Sequence, residues 1–105
     1  LDAVYQEVLR RAPGGDAAYV ATVASAELRL EHLRDARAAV ALYRQALRQR
    51  PTGSLALEAH RGLAEGLRAL GDRDGERAAL RALLDAGPDP DTRAAAQARL
   101  RALGG

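Results

Sequence analysis

A chain of 105 residues with a formal net charge of +2 fits a single domain, and no apolar run approaches the ~20 residues that a membrane-crossing helix needs. With no Cys there is no disulfide framework, no thiolate nucleophile and no Cys-based metal site. Phe, Trp, Met, Ile, Lys and Asn are absent, and the apolar content is nearly all Ala and Leu, the strongest apolar helix formers.

That composition predicts an all-α fold, and the breakers divide it into six helices. The first, over 1–12, ends at "APGGD" (12–16). The second, 16–33, ends at "LRDA", where Asp35 is a candidate N-cap for the third, 36–50. "RPTGS" (50–54) closes the third, and Ser54 is a candidate cap for the fourth, 54–70. "GDRDG" (71–75) precedes the fifth, 75–86, and "GPDPD" (87–91) precedes the sixth, 91–103. Apolar residues recur at helical spacing, as at Val40, Tyr43, Ala46 and Leu47, or Leu63, Ala64, Leu67 and Leu70.

The helices alternate in kind. "AVYQEVLRRAP" (3–13) aligns with "ALYRQALRQRP" (41–51) at a shift of 38, and "LYRQALRQRP" (42–51) with "ALRALLDAGP" (79–88) at a shift of 37. "LEHLRD" (30–35) aligns with "LRALGD" (67–72), and "LRALG" itself recurs at 67–71 and 100–104. Self-similarity at such a period is the mark of a repeat architecture, in which each unit buries its apolar face only against its neighbours. In that frame "LRALG" marks the end of the first helix of a helix-turn-helix unit.

At this point the chain resembles the tetratricopeptide repeat family. Ala39, Tyr43, Ala46, Leu47 and Pro51 match the second-helix spacing A-x-x-x-Y-x-x-A-L-x-x-x-P without a gap. The first-helix pattern W-x-x-L-G-x-x-Y is degenerate: its places hold Val23, Ala26, Glu27 and Leu30, then His60, Leu63, Ala64 and Leu67, then Arg93, Ala96, Gln97 and Leu100. The third repeat has Glu76 where Ala is usual. The long, Ala-rich repeats are similar to those of bacterial envelope and regulatory proteins such as FecR-type anti-sigma C-terminal regions and Tol–Pal coordinators. The Arg, Ala, Gly and Leu excess fits a GC-rich bacterial genome.

The resemblance implies a right-handed α-α superhelix of about six antiparallel helices. It divides into a half repeat (1–13), full repeats (16–51 and 54–88) and a half repeat (90–105). It also implies a non-enzymatic scaffold that binds a peptide or partner protein in its concave groove. By position, that groove takes Leu28, Glu31 and His32 from the second helix, Glu58, Arg61, Glu65 and Arg68 from the fourth, and Arg101 from the sixth. Arg68 and Arg101 together suit a carboxylate, which Arg grips in a bidentate fork. The alternative for the row from Glu58 to Arg68 is a self-neutralising set of ion pairs at helical spacing. Family members that clamp a chaperone tail use Lys and Asn, both absent here, which argues against that ligand.

Catalytic, metal and cofactor sites have little to stand on. His32 and His60 fall in no metal-ligand spacing, and Ser25 and Ser54 lack nucleophile-elbow glycines. "DRDGE" (72–76) opens like a calcium loop, but Gly75 comes one residue early and the bidentate Glu is missing. Asp72, Asp74, Asp89 and Asp91 are better read as caps and turn formers. The Arg44/Arg48 and Arg77/Arg81 pairs read as solvated faces. A nucleic-acid-binding helical repeat would want exposed aromatics beside the Arg; Tyr5 and Tyr43 belong to the core, leaving Tyr19. A structural or oligomerising segment is the other alternative, with weak self-association through Leu1, Val4 and Val8 at one end and Leu100 and Leu103 at the other. The chain begins at Leu1 without a targeting signal and reads as a piece of a larger bacterial protein, cytoplasmic or periplasmic.

Overall fold

The computed structural model describes Ala3, Glu7 and residues 15–104. Five helices follow one another: α1 (Asp16–Glu31), α2 (Ala36–Gln49), α3 (Ala56–Leu70), α4 (Arg73–Asp85) and α5 (Pro90–Ala102), with no strand among the described residues. Ala3 and Glu7 have helical backbone; the rest of the helix expected over 1–12 lies outside the described residues, as do Leu1, Val4, Tyr5 and Val8. Among the described residues no helix is long and apolar enough to cross a membrane.

Three helices begin on an Asp cap. Asp35 accepts from the Ala38 N–H at 3.1 Å, Asp72 from Gly75 at 2.9 Å and Asp89 from Thr92 at 3.1 Å, each binding an N–H that the helix itself leaves unpaired. Pro90 adds a preset φ at the start of α5. Asp74 pairs with Arg77, and Asp91 sits in the first turn of α5. Ser54 does not cap α3, whose N-cap residue is Leu55. The Leu55 N–H instead donates to the Tyr19 hydroxyl at 3.0 Å, a partner 36 residues away. Tyr19 is therefore not available at the surface: it is 2% exposed, with the Arg50 guanidinium 5.3 Å from its ring centroid. Arg50 is fixed in turn by an ion pair with Asp16.

Both copies of "LRALG" end a helix on a left-handed glycine. Gly71 has φ 78°, its N–H donates to the Arg68 carbonyl and the Asp72 N–H reaches back to the Leu67 carbonyl. Gly104 has φ 83° and donates to the Arg101 carbonyl. A positive φ followed by an Asp cap recurs 37 residues before Gly71, at Arg34 with φ 54°, though this turn closes differently, from the Asp35 N–H to the Arg29 carbonyl. A β-carbon in this region costs about 1–2 kcal/mol, partly offset by the unfolded-state entropy that glycine adds. Arg34→Gly is therefore expected to raise stability by about 0.5–1 kcal/mol in a urea melt; a loss of stability would mean that Arg34 holds the turn through its side chain.

Each helix packs on the next, α1 also meets α3, and among the described helices α5 touches only α4. The core is Ala- and Leu-rich, with Tyr19, Val23, Ala39, Val40, Tyr43, Ala46, Ala59, Leu63, Leu67, Leu80 and Leu83 buried in one cluster. At the α2–α3 crossing, a β-carbon on Gly62 would overlap the end of the Tyr43 ring, and one on Gly66 would lie 2.7 Å from Val40 Cγ2. These two glycines weaken α3 as an isolated helix but let α2 approach it.

Leu103 does not contribute to an apolar end face. It is 2% exposed within the core cluster, and its carbonyl accepts from Arg77 at 2.9 Å; Leu100 is half-buried against the same cluster. The Arg77 side chain thus ties α4 to the end of α5, whereas Arg44 and Arg48 are exposed.

Candidate partner-binding groove

Glu58, Arg61, Glu65 and Arg68 lie on one face of α3, Glu58 half-buried and the other three exposed. No ion pair or hydrogen bond joins them among the described residues. On α1, Leu28 is half-buried, Glu31 is exposed, and His32 is the C-cap residue, exposed, with its N–H on the Leu28 carbonyl.

Electrostatics place these groups in one neighbourhood. Burial, then Glu31, then Glu58 push the Glu27 carboxyl above the ordinary carboxylate range, and Arg61 opposes the shift. Burial, with Glu27, Glu65 and Glu31, pushes the Tyr43 phenol far up, again against Arg61. Glu31, Glu58, Arg61 and Glu65 thus lie within electrostatic reach of Glu27 or Tyr43, two residues that the sequence reading assigned elsewhere. Glu27 occupies a degenerate first-helix position, and its i, i+4 spacing to Glu31 was the available signal. The end of the Tyr43 ring lies against α3 because Gly62 carries no side chain there.

Toward α5 the same α3 face opens into a cleft of about 380 Å³. Arg61, Glu65 and Arg68 form one wall, Leu80 and Leu83 of α4 line the base, and Asp91, Thr92 and Arg99 of α5 line the opposite wall. Arg99 is locked in place: its Nε donates to Glu76 Oε2 at 2.6 Å and its second nitrogen to Oε1 at 3.0 Å. Glu76, the residue that departs from the repeat pattern, is 2% exposed, and its carboxylate is satisfied by this bidentate fork. Arg101 lines a separate recess with Gln97, Leu100 and Gly104. The cleft thus sets Arg68 with Arg99 rather than with Arg101, and Arg99 is already neutralised.

His60 is half-buried with no partner on Nδ1, and burial lowers its pKa; Gln49 Oε1 and Glu58 Oε2 are likewise without a hydrogen bond among the described residues. No three His, Cys, Asp or Glu side chains among the described residues stand close enough to share a metal ion. The chain matches no protein-family model, no curated protein and no solved structure.

Proposed function

We propose that the chain is a tetratricopeptide-like solenoid segment, a right-handed superhelix divided as 1–13, 16–51, 54–88 and 90–105. It serves as a non-enzymatic scaffold of a larger bacterial protein and binds a peptide or partner protein along its concave face. The observation that carries this reading is the α3 row of Glu58, Arg61, Glu65 and Arg68. Four charges are held on one helix face beside a cleft and left without partners of their own. Unpaired charges on a fixed scaffold set register and specificity for a partner of complementary pattern.

The repeat assignment draws support from the positive φ and following Asp cap that recur at Arg34–Asp35 and Gly71–Asp72, 37 residues apart, and from the α1–α3 contact that links alternate helices. Burial of Ala39, Tyr43 and Ala46 puts the best-matching motif in the core. The nucleic-acid alternative loses its free aromatic with Tyr19, and the self-association alternative loses Leu103.

Affinity capture from the source organism, read by mass spectrometry, tests the reading. The wild type is expected to enrich a specific protein that an Arg61→Glu/Arg68→Glu variant of unchanged melting temperature does not. Identical capture by both would overturn the groove.

A further inference from the structure

Alternate helices pack unevenly. α1 meets α3, whereas α3 and α5 do not touch, and the cleft of about 380 Å³ lies between them. Its floor is apolar, made by Ala64 of α3, Leu80 and Leu83 of α4 and Ala96 of α5. One polar pair is built into it. Glu76 is 2% exposed and grips the Arg99 guanidinium through Nε and one terminal nitrogen. The residue 37 positions earlier is Ala39, buried with no polar side chain to satisfy. Replacing a buried ion pair by apolar packing is often neutral or stabilising, so stability alone does not account for this one. What the pair does supply is a guanidinium held in a fixed plane, its charge already matched, lining an apolar-floored cleft.

We propose that this cleft seats an aromatic side chain of the bound peptide, its ring lying on the apolar floor and stacked against the Arg99 guanidinium. The proposal rests on the groove reading and names the chemistry of its ligand. A guanidinium is weakly hydrated and attracts the electron-rich face of a ring, and Glu76 has already fixed this one, so stacking orders little more. An aromatic side chain buries about 150–250 Å², and a cleft of this size is in the range of pockets that hold such groups. An aliphatic side chain would cover the floor but forgo the contact with the guanidinium. A carboxylate would meet an apolar floor and an Arg99 whose charge Glu76 already matches. The exposed charges of the walls, Arg61 and Arg68 against Glu65 and Asp91, stand two against two, so net charge selects neither sign of ligand.

An NMR titration of the whole chain tests this with the N-acetyl amides of Trp, Leu and Glu. The Trp probe is expected to give saturable amide shifts at Ala64, Leu80, Leu83, Ala95 and Ala96, and to move the Arg99 Nε–H signal upfield through the ring current. It is expected to bind about tenfold tighter than the Leu probe, the scale of a desolvated cation–π contact, while the Glu probe leaves these signals in place. Ala95 is exposed and lines the cleft, so Ala95→Leu fills the space with another good helix former and leaves the core alone. That variant is expected to abolish the Trp response at an unchanged melting temperature. No saturable response, equal affinity for the Leu probe, preference for the Glu probe, or undiminished binding by Ala95→Leu would each overturn the aromatic seat. The groove reading stands or falls separately, on whether Arg61→Glu/Arg68→Glu abolishes capture of a partner.

Discussion

Tyr43→Ala is expected to destabilise the domain by roughly 3–5 kcal/mol, the largest effect of any single truncation here. Tyr43 is 2% exposed at the crossing of α2 and α3, in a core cluster built of Ala, Leu and Val with one other aromatic, Tyr19. The partner substitution makes the claim specific. Gly62→Ala in the wild type adds a methyl where the Tyr43 ring lies. Overpacking of this kind costs about 1–3 kcal/mol, more than the ~1 kcal/mol of helix propensity that alanine returns. In the Tyr43→Ala background the overlap is gone and only the propensity gain remains, so the same substitution is expected to stabilise. A change of sign across this double-mutant cycle, read by chemical denaturation, is the signature of the ring lying against α3. Stabilisation by Gly62→Ala in both backgrounds would contradict that packing.

Glu76→Gln is expected to cost about 2 kcal/mol, because it weakens two charge-assisted hydrogen bonds to a buried acceptor. The loss should be concentrated in α5. Among the described helices it touches only α4, and it is held by the Glu76–Arg99 fork, the Arg77–Leu103 carbonyl bond and the burial of Ala96 and Leu103. Amide exchange across α5 is therefore expected to accelerate well before that of α2 and α3. The variant should also widen the cleft, since Arg99 forms part of its wall. Uniform acceleration across all five helices, or none, would mean that α5 is not held by this pair.

Much of the fold was legible because its determinants are local. The Asp caps at 35, 72 and 89 act on N–H groups three residues away, and the "LRALG" recurrence reports a turn closed within six residues. The features that escaped depend on partners far along the chain. Ser54 sits at the right place to cap α3, but the Tyr19 hydroxyl takes the Leu55 N–H from 36 residues away. Glu76 breaks the repeat pattern for a reason that appears only with Arg99, 23 residues on. Leu103 is an apolar residue near a helix end, and its burial follows from how α5 lies on α4.

The candidate groove was half legible for the same reason. Helical spacing alone places Glu58, Arg61, Glu65 and Arg68 on one face, and says nothing of whether they pair with each other. Glu27 and Tyr43 come within electrostatic reach of that row only through the packing of three helices, with the Tyr43 ring fitting against Gly62. Arg101 follows the family position but faces another recess, because α5 meets the core through Ala96 and Arg99.

The most direct test of the central claim is hydrogen–deuterium exchange of the domain alone and with its captured partner bound. The account predicts that protection rises on α1 around Glu27–Glu31, along α3 from Glu58 to Arg68 and on the facing side of α5, with α2 and α4 unchanged. Protection confined to α2 and α4 would contradict it.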